Sequence, residues 1–367
     1  MLETFKTRVL IVDDSAYSRQ SIKAMLETDE GIEVVGLASN GIEAMGRTMK
    51  LKPDIITLDF EMPEMDGFSF LRWLMKERPT PVVMITSFSD STTVFKALEL
   101  GAVDFIAKPS RRASTELNSI HDDLLTKIKG LKDLRMEKLH VSRDLINKNP
   151  ENSAGKDIMD EDLSPHDIGV VAIGASTGGP TALQVVLTWL PAHLPVGLIV
   201  SQHMPRGFTK AFADRLNNLA RIKVKEAEEG DVVERGRALI CPGGRHMTLK
   251  RKNKGICVSL KEATGRDKYI PSVDMMMTSA AEHFGPETMG VVLTGMGNDG
   301  TRGVVEIRGK GGYTIAEAES SAVIFGMPNE AIKTGCIDRV LPLYKIPSEI
   351  TMVVTGKKDR RWKRNQG

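Results

Sequence analysis

Eight side chains in this sequence have the types and placing to do chemistry, and they fall into two groups. The first is acidic: Asp13 and Asp14 in "LIVDDS" and Asp59 in "LDFEMP", with Thr86 in "MITS" and Lys108 in "AKP". Each stands where a short apolar run ends. Carboxylates that converge on one rim repel each other unless a cation lies among them. Oxygen-only ligands with room for water suit Mg²⁺. The second group is Ser176 in "GASTGGP", His203 in "SQHMP" and Asp299 in "TGMGNDG". A hydroxyl, an imidazole and a carboxylate at one rim are the parts of a nucleophile–base–orienter relay. In it, His203 takes the proton of Ser176 while Asp299 fixes the tautomer and stabilises the imidazolium.

The loop "GASTGGP" follows the apolar run "IGVVAIG" and, taken alone, fits two chemistries. Its backbone N–H groups could cradle a phosphate, or a sharp turn could raise Ser176 as a nucleophile. A dinucleotide site wants G-x-G-x-x-G and an acid at the end of the next strand. Here a serine replaces the second glycine, and "GLIVSQH" ends in His203. The nucleophile reading is the better one. It is not the α/β-hydrolase arrangement, because the loop is not G-x-S-x-G and the chain order is Ser, His, Asp.

The elements that must position these residues follow from the apolar pattern. Residues 1–110 alternate the runs "RVLIVDD", "EVVGLAS", "DIITLDF", "PVVMITS" and "VDFIAKP" with helical stretches such as "AYSRQSIKAMLETD". Short buried runs alternating with helices indicate a parallel sheet covered on both faces. The alternation resumes after Ile168 with "IGVVAIGAS", "GLIVSQH", "RALICPGG", "MGVVLTGMG" and "GGYTIAEA". Between them "NKNPENSAGKDIMDEDLSPHD" is poor in large apolar residues and reads as a solvated linker. The expected organisation is an α/β chain of two doubly wound parallel-sheet domains, residues 1–125 and 167–355. A helical then polar linker spans 126–166, and a basic tail, "GKKDRRWKRNQG", closes the chain at 356–367. In such sheets ligands bind beyond the carboxyl ends of the strands, where both groups stand.

Composition narrows the function. A length of 367 residues favours two domains over one core. A net charge of +2 gives no general reason to bind nucleic acid or an anionic membrane. Three widely spaced cysteines, Cys241, Cys257 and Cys336, show no metal-ligand spacing and fit a reducing compartment. The N-terminus, with a short apolar core followed by acids, is not expected to be a signal peptide, and no apolar run reaches the roughly 18 residues of a membrane span. The expectation is a cytoplasmic protein that is not membrane-inserted.

The ordered set "LIVDDS", "LDFEMPEMDG", "MITS" and "AKP" resembles the receiver domain of two-component response regulators, a flavodoxin-like fold, over roughly Val9 to Leu125. That resemblance implies that Asp59 is the phospho-acceptor. It also implies that Asp13, Asp14, Asp59 and the backbone carbonyl of Glu61 hold the Mg²⁺ needed for phosphorylation. Thr86 would bond a phosphoryl oxygen and Lys108 would pair with its charge. Phe105 stands where the family keeps a switching aromatic, and a plain core phenylalanine suits the position too.

From about Ile168 to Leu343, "IGASTGGP", "SQHMP", "PGGRHM", "PSVDMMM", "LTGMGNDG" and "FGMPNEAI" resemble the Rossmann-like catalytic domain of the chemotaxis protein-glutamate methylesterases. By that resemblance Ser176, His203 and Asp299 are the triad, the Met296 N–H contributes to the oxyanion hole, and Thr177 helps at the same site. No cofactor is implied for the hydrolase. The implied substrates are glutamyl methyl esters, and glutamine amides, of methyl-accepting chemoreceptors. The implied phosphodonor is the chemotaxis histidine kinase. A receiver on a polar linker is then expected to restrain the hydrolase until Asp59 is phosphorylated. Before "PSVD" the chain reads "GRDKYI", where family members often carry basic or histidine residues, so the substrate contact there stays open. His246 in "PGGRHM" shows no evident acid partner. Rival outputs are a DNA reader, a non-catalytic adaptor and an ordinary small-molecule esterase. The first conflicts with the strand–helix alternation. The second would be favoured by loss of a triad residue.

Overall fold

The computed structural model describes residues 6–87, 91–108, 120–132, 134, 136 and 168–356. Most of the expected linker and all but the first residue of the expected tail lie outside these residues. The chain divides into two compact units, Met1–Arg143 and Asp144–Gly367.

In the first unit, strands β1 (Thr7–Val12), β2 (Ile32–Ala38), β3 (Ile55–Leu58), β4 (Val82–Ser87) and β5 (Asp104–Lys108) pair in parallel in the order β2-β1-β3-β4-β5. The four residues of β3 are all buried, as a central strand covered on both faces requires. Helices α1 (Ala16–Leu26), α2 (Gly41–Leu51), α3 (Gly67–Glu77), α4 (Ser91–Leu100) and α5 (His121–Gly130) connect or flank the strands. Ser15, Asn40 and Asp66 cap the first three, each side chain accepting the N–H three residues on. α5 continues through Gly130, into the stretch expected to begin the linker as a helix, and buries Leu124 and Ile128.

The second unit holds a seven-stranded parallel sheet and a separate antiparallel hairpin. Its strands are β6 (Val170–Ala175), β7 (Gly197–Gln202), β8 (Lys223–Glu226), β9 (Arg237–Ile240), β10 (Arg245–Lys252), β11 (Gly255–Glu262), β12 (Thr288–Val292), β13 (Tyr313–Glu317) and β14 (Arg339–Leu341). The sheet order is β14-β13-β12-β6-β7-β9-β8. From β6 the chain winds one way through β7, and later the other way from β12 through β13 to β14. The switch point therefore lies between β6 and β12, where open α/β sheets form their ligand crevice. The principal helices are α6 (Gly179–Trp189), α7 (Thr209–Leu219), α8 (Val273–Phe284), α9 (Thr301–Gly309), α10 (Met327–Lys333) and α11 (Ile346–Thr355).

The hairpin β10–β11 is absent from the sequence expectation. Its lysine-rich outer face masks the alternation that leaves Met247, Leu249 and Val258 buried. These residues share one core cluster with Met276, Met277 and Ala280 of α8 and with Ala172 and Ile199 of the sheet. α8 is thereby held in a core common to sheet and hairpin, and each buried methionine stabilises it by about 1.5–3 kcal/mol. The Leu249 N–H also donates to Ser279 Oγ (2.8 Å). This clamping matters because the N-terminus of α8 enters the crevice.

Candidate functional site

Ser176 follows β6, His203 follows β7, and Asp299 lies in the turn after β12, so the switch point gathers all three. His203 Nδ1 lies 3.0 Å from Ser176 Oγ, and its Nε2 lies 2.8 Å from Asp299 Oδ2. Ser176 and His203 are part-buried, whereas Asp299 is 2% exposed.

Four donors fix the Asp299 carboxylate. Oδ2 faces His203 Nε2 and accepts from the Val273 N–H (2.7 Å). Oδ1 accepts from the Asp274 N–H (2.8 Å) and from Ser272 Oγ (3.2 Å). Val273 and Asp274 begin α8, and Ser272 caps it. The carboxylate thus rests on a helix N-terminus, where unpaired N–H groups favour negative charge. Burial pushes the Asp299 carboxyl up, but His203 and these main-chain donors outweigh it and hold it below its ordinary value. An ionised carboxylate against Nε2 places the ring proton there and turns the Nδ1 lone pair toward Ser176 Oγ. The ring is reversed relative to the chymotrypsin template, in which Nε2 faces the serine.

The turn carrying Asp299 is itself pinned. Burial and the neighbouring Asp299 push the Asp274 carboxyl up. Its Oδ1 accepts from the N–H groups of Gly300 (2.9 Å) and Gly303 (2.7 Å), capping α9. Gly295 makes the close approach to Ser176 possible. A Cβ there would fall 2.6 Å from Ser176 Cβ and 2.4 Å from Met327 Sδ.

The Ser176 N–H is spent on the Thr294 carbonyl (3.0 Å), so it is not a donor for an oxyanion. The Met296 N–H, one residue past Gly295, has no hydrogen-bond partner among the described residues. Thr177 is buried, and its carbonyl accepts from Thr294 Oγ1 (2.9 Å).

Three contributors escaped the sequence reading. Gln202 is buried, and its Nε2 donates to the carbonyls of both Ser176 (3.0 Å) and His203 (2.9 Å). Its place beside His203 at a strand end was the only signal. Tyr269, in "GRDKYI", stacks on the His203 ring with centroids 5.2 Å apart and planes 8° apart. The third is Asp267, and it corrects the reading of His246 as lacking an acid: its Oδ2 lies 3.2 Å from His246 Nε2. The Thr264 main-chain N–H and hydroxyl, then His246, hold Asp267 below the usual carboxylate range. His246 Nδ1 accepts the Ser272 N–H (3.0 Å), so this histidine supports the residue that donates to Asp299.

The first unit gathers the acidic group as expected. Asp13, Asp14 and Asp59 each offer an oxygen within 4.8 Å of the others. Lys108 Nζ reaches Asp13 Oδ2 at 2.7 Å and Asp59 Oδ2 at 2.5 Å. Asp59 Oδ1 accepts the Phe60 N–H (2.7 Å). Burial pushes the Asp13 carboxyl up despite Lys108, and Asp59 adds to the rise. Burial works against the Lys108 ammonium, but Asp59 and Asp13 outweigh it and keep its pKa above the ordinary value. Three carboxylates against one ammonium leave about two negative charges, which an oxygen-seeking dication balances. Thr86 is buried on β4, paired across to Ala107, and Glu61 is exposed on the loop after β3. Phe105 is packed inside, 2% exposed, and Lys127 lies across it with Nζ 5.6 Å from the ring centroid.

Known proteins resemble this chain over both units. The response regulator receiver domain model matches residues 9–118, and the CheB methylesterase model matches residues 171–350. A protein-glutamate methylesterase/protein-glutamine glutaminase of Geobacter sulfurreducens is 47% identical, covering 94% of this chain and 96% of its own. The chain belongs to the CheB methylesterase family. A CheB relative of the same description from Pyrococcus abyssi is 42% identical, covering 95% of this chain and 94% of its own. The crystal structure of the Thermotoga maritima CheB methylesterase catalytic domain is 42% identical, with a TM-score of 0.50. It covers 51% of this chain and 99% of that one. As in any CheB protein with a receiver, both a signalling input and a hydrolytic output are present on one chain. Among the described residues no helix is long and apolar enough to cross a membrane.

Proposed function

We propose that Ser176, His203 and Asp299 are the catalytic residues that hydrolyse glutamyl methyl esters, and glutamine amides, on chemoreceptors. We propose further that phosphorylation of Asp59 by a chemotaxis histidine kinase governs this activity. The carrying observation is His203 held between Ser176 Oγ and Asp299 Oδ2. In the first step His203 Nδ1 accepts the Ser176 proton as Oγ attacks the ester carbonyl. Asp299 stabilises the imidazolium through Nε2–H, and the Met296 N–H is the donor left over for the developing oxyanion. Collapse of the tetrahedral intermediate breaks the ester C–O bond. The Nδ1 proton goes to the leaving oxygen and methanol departs from the acyl-enzyme. Water then attacks with Nδ1 again as base, and the return of its proton to Oγ frees the glutamate carboxylate. An amide follows the same course with ammonia as leaving group.

In the receiver, Asp13, Asp14 and Asp59, with the Glu61 carbonyl, would hold Mg²⁺. The ion would neutralise charge on the incoming phosphoryl group. Asp59 supplies the acceptor oxygen, while Thr86 and Lys108 meet the phosphoryl oxygens. Methanol release should be seen with a methylated receptor and be at least about 100-fold slower with a small synthetic methyl ester, which lacks remote binding energy. Equal kcat/KM on both would indicate an ordinary esterase and overturn the receptor assignment.

A further inference from the structure

We infer that Tyr269 is a positioning residue for the base, fixing the plane of the His203 imidazole. The inference rests on the relay reading of the site. Nδ1 and Nε2 are anchored to Ser176 Oγ and Asp299 Oδ2 at 3.0 and 2.8 Å. Two anchors on opposite sides of a ring fix its place along the line that joins them. The covalent link to Cβ leaves one soft motion, rotation about Cβ–Cγ, which tips both nitrogens out of line and which hydrogen-bond angles resist only weakly. A lone pair that tips out of the plane of Ser176 Oγ loses its proton-transfer geometry. The Tyr269 ring lies nearly parallel to the imidazole, 5.2 Å between centroids, and blocks that rotation by face contact. The same face is attractive to the imidazolium that forms when His203 takes the proton.

Tyr269 is itself held by the turn that carries Asp299. Its hydroxyl donates to Asn298 Oδ1 (2.9 Å) and accepts from the Asn298 N–H (3.3 Å). Gly297, at φ +80°, leaves room for it, since a Cβ there would fall 2.2 Å from the hydroxyl. Lys268 Nζ lies 4.8 Å from the ring centroid. One turn therefore sets both the carboxylate behind the imidazole and the ring across its face. The sequence marked "GRDKYI" only as a departure from the family pattern. Its tyrosine acquires this role because the segment folds back over the strand-end rim.

The test compares Tyr269→Leu and Tyr269→Phe in the full chain, with Ser176→Ala as the reference for the relay itself. Tyr269 is part-buried at the rim and outside the buried core, so neither change removes core packing. Tyr269→Leu is expected to lower kcat for methanol release by about 10- to 100-fold with little change in KM, the scale of an ångström-level misplacement. Tyr269→Phe keeps the stack and is expected within about fivefold of the parent, since it loses only the hydroxyl's two hydrogen bonds to Asn298. NMR relaxation of the His203 ring, which needs no substrate, should show greater mobility in Tyr269→Leu alone. An unchanged kcat with unchanged ring mobility, or a rise in KM alone, would overturn the positioning role. An active Ser176→Ala would instead overturn the relay reading on which it rests.

Discussion

Asp299 concentrates the chemistry at the level of single residues. Its carboxylate is buried and holds an imidazole, yet its pKa is depressed, because its ionised form satisfies three donors from the start of α8 besides Nε2–H. The sign of the linkage follows. A carboxyl depressed on folding contributes stability above its unfolded pKa, and that contribution is lost as pH falls through the folded value. The orienter therefore stays ionised to lower pH than an ordinary aspartate. Replacing Asp299 by Asn keeps the shape but lets the side-chain amide donate toward Nε2. That leaves the proton on Nδ1, where it cannot serve as base toward Ser176. We expect kcat to fall about 10⁴-fold, the cost of a wrong tautomer in the chymotrypsin template, while circular dichroism stays native. A loss under tenfold, measured by methanol release, would show that the tautomer is set elsewhere.

Elements explain why some of this was legible and some was not. Ser176, His203 and Asp59 each directly follow a buried parallel strand, so apolar runs alone placed them on a rim. Asp299 was reachable because "MGVVLTG" reads as a strand leading into its turn. Gln202 acts through main-chain carbonyls, and nothing in a residue type announces that. His246 and Asp267 meet only because the hairpin β10–β11 returns the chain to the N-terminus of α8, and that hairpin was hidden by its charged outer face. Tyr269 depends on the path of a loop. Gly295 belongs at this scale too, since it sets how closely the β12 turn and the β6 turn approach. Gly295→Ala would drive a methyl into Ser176 and Met327. Overpacking of this kind costs about 1–3 kcal/mol, and the displaced nucleophile should lower kcat about 100-fold. Thermal unfolding and methanol release check the two effects separately. A kcat within threefold of the parent would mean that Met327 alone absorbs the methyl.

At the scale of the whole chain, two sheets of one architectural type put different chemistry at their strand ends. In the first, three carboxylates and Lys108 meet where the proposed reading puts a phosphoryl group. In the second, a switch point gathers the hydroxyl, imidazole and carboxylate proposed for acyl transfer. The central claim is that Ser176 performs the hydrolysis and that the phosphorylated receiver speeds it. The most direct measurement is methanol release from a methylated receptor by the parent chain and by Ser176→Ala, each with and without Mg²⁺ and a small phosphodonor. The parent should release methanol and accelerate with phosphodonor, an acceleration that Asp59→Asn should abolish. Ser176→Ala should be slower by about 10⁴- to 10⁶-fold under both conditions. Release by Ser176→Ala within tenfold of the parent would contradict the account.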